Sequence, residues 1–144
     1  MRSASSILAA LPLVLIPMAC TEVGDPALVI EQPLEVPSGP LSFAEHIEPI
    51  LQDSGCIGCH GSGGGFGGLD VTTPGSILEG GDGGPAIVPC DASASWLWQR
   101  VRDCEMPASG GCLDDIEVET IARWIDQGAR ATFEPGICPD PPLD

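Results

Sequence analysis

Cys56-Ile57-Gly58-Cys59-His60 is the stretch on which the interpretation of this chain depends. Two thiols separated by two residues and followed directly by a histidine form the attachment signature of a c-type haem. Each thiol adds across one vinyl group of the porphyrin to give a thioether, and the spacing lets one helical turn present both sulfurs to the same edge. The histidine then supplies the proximal ligand of the iron. The motif therefore predicts one covalently bound haem, held by Cys56, Cys59 and His60.

A Cys-x-x-Cys pair also occurs in thioredoxin-like redox sites, in zinc sites and as a short disulfide. A redox motif is expected among alternating strands and helices, and no such alternation is visible in this sequence. A zinc site needs a second pair of ligands at close spacing, but Cys104 and Cys112 are too far apart for the usual knuckle and no histidine follows His60. A disulfide between Cys56 and Cys59 would be short and strained. Haem attachment is therefore the favoured interpretation.

The length and charge of the chain restrict its class. Its 144 residues suffice for one domain. Five basic residues against 21 acidic ones give a net charge of −16, which argues against nucleic acid and anionic lipid head groups as partners. Such a surface suits a basic redox partner protein, or it serves solubility alone.

Residues 1–19 read as an export signal. Arg2 gives a short basic region, and the apolar run from Ile7 to Met18 is too short for a permanent membrane helix. The run leads into Cys20 and resembles the bacterial lipobox, in which the cysteine becomes the lipidated N-terminus, although Pro17 stands where leucine is usual. Lipidation of Cys20 would also account for the odd number of cysteines; the alternative is an ordinary signal peptide that leaves a spare thiol. We expect an exported protein, periplasmic or held at the outer membrane by a lipid anchor only.

Residues 20–41 form a predicted tether between the leader and the domain. The segment is rich in proline and acidic residues, namely Pro26, Pro33, Pro37, Pro40, Glu22, Asp25, Glu31 and Glu35. That composition makes an extended, self-repelling chain. The domain itself is expected over residues 42–144 and ends in a Pro-rich tail.

Ser42 begins the first predicted helix, because Glu45 three residues later completes a capping box. An apolar stripe follows at helical spacing, made of Phe43, Ile47, Ile50 and Leu51. Pro49 should kink or restart this helix. His46 could be a second axial ligand of the iron, but a solvated helix histidine beside acidic neighbours is the favoured reading.

Two glycine-rich stretches, 61–68 and 80–84, predict loops. The first is nearly all glycine and is not expected to be regular structure. Glycine lets a backbone pass close to a flat ring because it has no Cβ, and a flexible surface loop is the alternative. A phosphate cradle is a weak reading of either stretch, since no Lys-Ser/Thr follows.

A further helix is expected from an N-cap at Ser93 to about Asp103. Its inward residues are predicted to include Trp96, Leu97, Arg100 and Val101. A tryptophan beside a haem packs in the core, and its indole N–H can reach a propionate. Arg100 and Arg102 could also pair with a propionate, or they only solvate the helix.

Met106 is the second predicted ligand of the iron. It is the only methionine that remains after removal of the leader, and Pro107 stiffens the loop behind it. A thioether is a soft ligand, and His/Met ligation is the pattern of haem proteins that transfer electrons. The alternative is a gap-filling core methionine.

The last helix is expected to start at Asp114, where an acidic N-cap is followed by Glu117 at the third helical position. One face of this helix is apolar and should be buried, namely Ile116, Thr120, Ile121, Trp124 and Ile125. Gly128 is the residue predicted to end the helix.

Taken together, these features resemble the cytochrome c-like domains of exported bacterial proteins, especially the planctomycete-type cytochrome c family. The matching pieces are Pro49-Ile50-Leu51, Cys56-x-x-Cys59-His60-Gly61, the Gly-rich stretch to Leu69, Ala86-Ile87-Val88-Pro89, Ser95-x-Leu97, Met106-Pro107 and Ile121-x-x-Trp124-Ile125-x-x-Gly128-Ala129. The resemblance covers about residues 43–131. It implies an all-α, cytochrome c-like fold around one haem c, with Gly-rich loops, and with the first and last helices crossing near the haem edge.

The chain departs from that family by adding four cysteines, Cys90, Cys104, Cys112 and Cys138. Four cysteines allow three disulfide connectivities, and we favour Cys104 with Cys112 and Cys90 with Cys138. The first pair brackets Met106 in a glycine-containing loop that can fold back on itself, so that closing it would restrict the ligand sulfur. The second pair would tie the Pro-rich tail to the domain.

The sequence therefore predicts a mono-haem c-type cytochrome that works as a one-electron carrier and not as an enzyme. Two alternatives stay open. One is a haem-based binder or sensor of small ligands, in which Met106 is labile. The other is a redox subunit of a larger complex.

Overall fold

The structure, a computed structural model, describes residues 35–132 and 134–139. The predicted leader at 1–19, the predicted lipidation site Cys20 and the tether up to residue 34 lie outside the described residues, as does the tail from residue 140. The predicted domain boundaries at 19/20 and 41/42 therefore stay predictions.

Helical segments account for all of the regular structure in the described residues. In order they are a π-helical turn at Phe43–Ile47, α1 (Glu48–Asp53), α2 (Cys56–Cys59), a 3₁₀ turn at Phe66–Gly68, α3 (Pro74–Glu79), α4 (Trp96–Arg102) and α5 (Asp115–Asp126). Two isolated bridges are the only β-type pairings in these residues. The all-α prediction is confirmed for this part of the chain. None of the helices described is long and apolar enough to cross a membrane.

The first helical segment begins where the sequence predicts. The Ser42 hydroxyl accepts a hydrogen bond from the Glu45 N–H at 3.3 Å and so caps the π-helical turn. Pro49 falls in the first turn of α1, where an N–H would have no partner within the helix in any case. The proline therefore restarts the helix rather than kinking it. Phe43 and Ile47 are buried, as the apolar stripe requires.

Helix α4 begins two residues later than predicted, and Ser93 is not its N-cap. The Ser93 hydroxyl donates to Asp91 Oδ1 at 2.7 Å, and the Ala94 N–H donates to the same oxygen at 2.9 Å. Asp91 thereby holds residues 93–94 in a turn. Ser95 takes the N-cap position, but its buried hydroxyl accepts from the Val88 N–H at 2.8 Å instead of capping its own helix.

Two of the residues predicted to face inward from α4 face outward. Val101 is buried and Leu97 half-buried, as predicted, whereas Trp96 is 58% exposed and Arg100 is exposed. The spacing explains the difference, because Trp96 and Arg100 are four residues apart and stack on each other. The guanidinium carbon of Arg100 lies 5.3 Å from the Trp96 ring centroid, a cation–π contact.

Helix α5 is capped as the sequence predicts. Asp114 Oδ1 accepts from the Glu117 N–H at 2.8 Å, and Glu117 Oε2 accepts from the Asp114 N–H at 3.0 Å. The buried residues of this helix are Thr120, Ile121, Ala122, Trp124 and Ile125. Four of the five residues predicted to form the buried face are therefore buried, and the fifth, Ile116, is half-buried. Gly128 follows the helix at φ 101°, a left-handed conformation that favours glycine.

The core lies between the first helical segments and α5. The rings of Phe43 and Trp124 are 5.7 Å apart at their centroids. Hydrogen bonds join the start of the domain to the residues that follow α5. The Phe43 N–H donates to the Ala131 carbonyl oxygen at 3.0 Å, and the Leu41 N–H donates to Gln127 Oε1 at 2.8 Å.

Two disulfides close the fold, and they are the two pairs that the sequence analysis favours. Cys90 and Cys138 are bonded with their Cα atoms 5.4 Å apart, and Cys104 and Cys112 with theirs 4.9 Å apart. The Cys90 N–H also donates to the Ile125 carbonyl oxygen at 2.8 Å. The first bridge therefore fastens the described tail near the end of α5, and the second closes the loop between α4 and α5.

Candidate haem attachment site

The attachment motif forms one helical turn and its C-cap. Helix α2 follows Gly55, whose φ of 74° lies in the left-handed region, and it ends at His60. The His60 N–H donates to the Cys56 carbonyl oxygen at 2.8 Å and closes the turn. Residues three apart in a helical turn lie on one side. This spacing agrees with the prediction that Cys56 and Cys59 attach to one porphyrin edge, and the attachment itself stays a prediction.

Among the described cysteines, Cys56 and Cys59 are the two that carry free thiols. Cys59 is exposed and Cys56 is half-buried. Burial raises the pKa of the Cys56 thiol above its ordinary value; a backbone hydrogen bond opposes this shift, and the negative charge of Glu117 at the start of α5 adds to it. Cys56 is therefore held in its protonated form over a wider pH range than a thiol in water.

His60 is fixed through its backbone, while its ring lacks a partner. The His60 carbonyl oxygen accepts from the Val71 N–H at 2.9 Å. The ring atom Nδ1 is buried and has no hydrogen-bond partner in the described chain. Buried polar atoms without a partner are uncommon, and each calls for a specific explanation. No protein group bonds the ring in the described chain, which leaves Nε2 for a metal; the acceptor that a metal-bound histidine ordinarily has at Nδ1 is missing from the described chain.

An open cavity of about 380 Å³ lies beside the second thiol of the motif. Cys59, Gly65 and Phe66 line it. Phe66 is 77% exposed, which leaves a large apolar ring in contact with water. The free thiols, the incompletely bonded histidine and this apolar surface fit the covalent anchor, the axial ligand and the apolar body of a haem.

Gly65 brings the first glycine-rich stretch onto the attachment turn. A Cβ at Gly65 would overlap the carbonyl oxygen of Cys59 and lie 2.9 Å from the Cα of His60. Only glycine permits this approach. At Gly65 the missing Cβ lets one backbone segment approach another. The close approach of glycine backbone to a flat ring stays a prediction.

The two glycine-rich stretches also contact each other. The Asp82 N–H donates to the Gly67 carbonyl oxygen at 2.8 Å. Apart from the 3₁₀ turn at Phe66–Gly68, the first stretch has no helix or strand, so the expectation that it is irregular is wrong only at that turn. The stretch 80–84 therefore contacts the stretch 61–68, which in turn contacts the attachment turn at Gly65.

The indoles of the three tryptophans differ in their surroundings. Trp124 Nε1 donates to the Arg130 carbonyl oxygen at 2.9 Å, and Trp96 is exposed to solvent. Trp98 Nε1 is buried and has no partner in the described chain. The guanidinium carbon of Arg102 lies 4.5 Å from the Trp98 ring centroid. Trp98, which the sequence analysis did not single out, is therefore a buried donor without an acceptor.

Met106 lies in the loop after α4 and is half-buried against the same core as Cys56. The N–H groups of Glu105 and Met106 both donate to the Arg100 carbonyl oxygen, at 2.9 Å and 3.1 Å. Arg100 also forms an ion pair with the Glu105 carboxylate. Ligation of iron by Met106 stays a prediction.

His46 makes its contacts at the start of its own helix. The Ser42 N–H donates to His46 Nδ1 at 3.1 Å. This bond agrees with the reading of His46 as a local helix histidine, and the alternative of a second axial ligand remains a matter for experiment.

The model of the planctomycete cytochrome C family matches residues 56–110. The match begins at the first cysteine of the attachment motif and ends at Gly110, four residues after Met106 and inside the loop that the Cys104–Cys112 disulfide closes. It contains every residue predicted to touch the haem, namely Cys56, Cys59, His60 and Met106. The resemblance seen in the sequence is thereby confirmed over residues 56–110. No curated protein and no solved structure matches the chain.

Proposed function

We propose that this chain, a member of the planctomycete cytochrome C family through residues 56–110, is a mono-haem c-type cytochrome that carries one electron at a time in the bacterial envelope. Family membership supports haem-based electron transfer in general. The single covalent haem, the role as a carrier rather than an enzyme, and the location outside the cytoplasm are the specific content of the proposal.

One observation carries the proposal. Of the described cysteines, only the two in the attachment motif have free thiols, and both lie on one helical turn that ends at His60. The other four described cysteines are bonded to each other in two disulfides. The two described thiols that form no disulfide are therefore the pair that the attachment motif assigns to the vinyl groups of a haem, and this supports the proposal.

The residues named so far divide the work of holding the cofactor. A bound haem supplies the one-electron chemistry, because its iron is stable in both the ferrous and the ferric state. Cys56 and Cys59 would fix the ring through thioethers, His60 would hold the iron through Nε2, and Met106 would hold it through sulfur. Ligands that stay in place in both redox states keep the reorganisation on electron transfer small.

Trp98 and Arg102 would receive a propionate. The indole Nε1 of Trp98 is buried and lacks an acceptor, and an ionised carboxylate accepts hydrogen bonds strongly. Arg102 lies on the ring face and binds Asp103 through two hydrogen bonds at 2.8 Å and 2.9 Å. The stacked guanidinium would hold the indole in place, while its own charge is paired with the Asp103 carboxylate.

The charge of the chain supports a basic protein as redox partner. A net charge of −16 attracts a positively charged surface over distances that salt shortens to about 10 Å at 0.1 M. Export and attachment through Cys20 rest on the leader sequence alone, which lies outside the described residues. We propose a periplasmic or outer-membrane-anchored lipoprotein on that basis.

The experiment that tests the proposal is haem retention after maturation in a periplasm that attaches haem c. Wild-type protein should keep its haem through acid–acetone extraction, because thioethers survive this treatment. Cys56→Ala and Cys59→Ala should each leave one thioether, and the double variant should leave none. The matched control, Cys90→Ala with Cys138→Ala, removes two cysteines elsewhere and should keep the haem. Covalent haem in the Cys56/Cys59 double variant would contradict the proposal.

A carbon monoxide assay separates the carrier from the small-ligand binder. A ferrous haem with both axial positions filled by protein binds carbon monoxide only as fast as a ligand leaves. We expect slow, ligand-limited binding in wild-type protein. Fast binding at a rate proportional to carbon monoxide concentration would favour the sensor.

A further inference from the structure

The loop that carries Met106 is well fastened on its first side. Two N–H groups, those of Glu105 and Met106, donate to the Arg100 carbonyl oxygen, and the Glu105 side chain pairs with the Arg100 guanidinium. These contacts tie the start of the loop to the last turn of α4.

The second side of the loop has few contacts of its own. In the described chain, the single backbone hydrogen bond of residues 107–112 runs from the Gly110 N–H to the Pro107 carbonyl oxygen at 3.2 Å and stays inside the loop. Gly110 and Gly111 lie at φ 94° and 95°, where glycine alone adopts the conformation freely. A segment of this kind has a large conformational entropy unless something else restrains it.

The Cys104–Cys112 disulfide supplies that restraint. Cys104 is held at the end of α4 by its N–H, which donates to the Val101 carbonyl oxygen at 3.3 Å. Cys112 directly precedes Leu113, which is buried before α5 begins. The bridge brings the Cα atoms of its two cysteines to 4.9 Å. Met106 therefore lies inside a closed loop that is anchored at both ends.

The methionine and the bridge face different environments. Met106 is half-buried against the core, whereas Cys104 and Cys112 are both exposed. A dithiol in solution can thus reach the disulfide while the rest of the domain stays folded.

We propose that the Cys104–Cys112 disulfide is a positioning device for Met106, which keeps the methionine sulfur at the iron while the bridge is closed and frees it when a protein dithiol opens the bridge. This inference rests on the proposed function, because it requires Met106 to be a ligand. The opening step is a thiol–disulfide exchange through a mixed disulfide. The dithiol becomes a disulfide, and its two electrons and two protons pass to Cys104 and Cys112, which become thiols.

The test compares carbon monoxide binding in two matched variants of the haem-containing protein. In a free chain, a closure of this length restricts the loop by up to about a hundredfold, and this value is an upper bound here because the folded loop is also held at Arg100. We expect carbon monoxide to bind ferrous Cys104→Ser/Cys112→Ser about tenfold or more faster than wild type. Cys90→Ser/Cys138→Ser also lacks one bridge, but not the one around Met106, and its rate should stay within about twofold of wild type. In Met106→Ala, removing the Cys104–Cys112 bridge should add nothing, since no sulfur is left to position.

Two spectral outcomes separate this inference from the proposed function. Methionine bound to ferric haem gives a weak charge-transfer band at the red edge of the visible spectrum. Absence of the band in wild type would contradict Met106 ligation itself. A band and a carbon monoxide rate that are both unchanged in Cys104→Ser/Cys112→Ser would overturn the positioning role alone. Dithiothreitol should raise the rate of carbon monoxide binding to ferrous wild type to that of Cys104→Ser/Cys112→Ser. Peptide mapping shows whether Cys104 and Cys112 have been reduced. If they are reduced and the rate is unchanged, the positioning role is also overturned.

Discussion

The two attachment thiols are unequal nucleophiles before haem is bound. Cys59 is exposed, whereas Cys56 is half-buried and burial raises the pKa of its thiol. The thiolate is the reactive form, so a raised pKa lowers the reactive fraction at any pH below it. We expect iodoacetamide to modify the exposed Cys59 before Cys56 in haem-free protein at neutral pH, and the rate at Cys56 to keep rising above the pH at which an ordinary thiol is fully ionised. Mass spectrometry of the alkylated peptides measures both rates, and equal rates throughout would contradict the expectation.

A second prediction at this scale concerns the unpartnered indole. Trp98→Phe removes one buried N–H and keeps an aromatic ring. If Trp98 donates to an ionised propionate, the variant loses a bond that stabilises the ionised form, and the propionate pKa should rise. The midpoint potential of the haem changes in a step where this propionate titrates, so that step should move up by about one pH unit. Potentiometric titration across pH measures the step. Trp96→Phe changes an exposed indole on the same helix and should leave it in place. A step that does not move in Trp98→Phe would show that the indole has another partner.

At the scale of elements, the contact of Gly65 with the attachment turn should be costly to disturb. A Cβ there would collide with backbone atoms of Cys59 and His60, which cannot move aside as a flexible side chain can. We expect Gly65→Ala to lower the free energy of unfolding by about 1–3 kcal/mol and to reduce the yield of haem-containing protein. Gly83→Ala is the matched control, because a Cβ at Gly83 meets open space at a negative φ. Its effect should stay within about 0.5 kcal/mol in denaturant unfolding. Equal losses in the two variants would mean that the contact is not specific.

The elements that could be predicted are those specified by local chemistry. The caps at Ser42 and Asp114 depend on side chains three residues away, and the buried face of α5 depends on a regular repeat. Helix α3 was missed although Thr73 caps it and Pro74 opens it, a combination that marks helix starts. The start of α3 is thus specified by local chemistry as well.

Other features of the site depend on contacts between distant segments. Ser93 has the residue type of an N-cap, but its hydroxyl is bonded to Asp91. Trp96 is apolar and was predicted to face inward, but it lies on the exposed face of α4. The close approach of Gly65 to the attachment turn and the isolation of the Trp98 indole are properties of tertiary structure. A repeat of apolar residues in the sequence predicts which face of a helix is buried, but it does not predict contacts of this kind.

At the scale of the whole molecule, the two disulfides should have separable effects. Cys90 and Cys138 are 48 residues apart in sequence, and Cys104 and Cys112 are 8 apart. The loop-entropy model assigns roughly 4 kcal/mol to the longer closure and roughly 2–3 kcal/mol to the shorter one, before any strain. We therefore expect Cys90→Ser/Cys138→Ser to lose more stability in denaturant unfolding than Cys104→Ser/Cys112→Ser, while only the second pair alters carbon monoxide binding. The reverse order of stabilities would contradict the loop-entropy account.

The hydrogen bonds that join Leu41 and Phe43 to Gln127 and Ala131 have a consequence for modularity. They hold the start of the domain beside the residues that follow α5, from which the tail continues to Cys138 and its bridge with Cys90. A unit with adjoining ends can be spliced into a surface loop of a host protein, or strung in series with copies of itself, with little distortion of what surrounds it. A graft of this unit therefore has to carry the chain on to Cys138, because an end at Ala131 would delete one cysteine of the Cys90–Cys138 bridge.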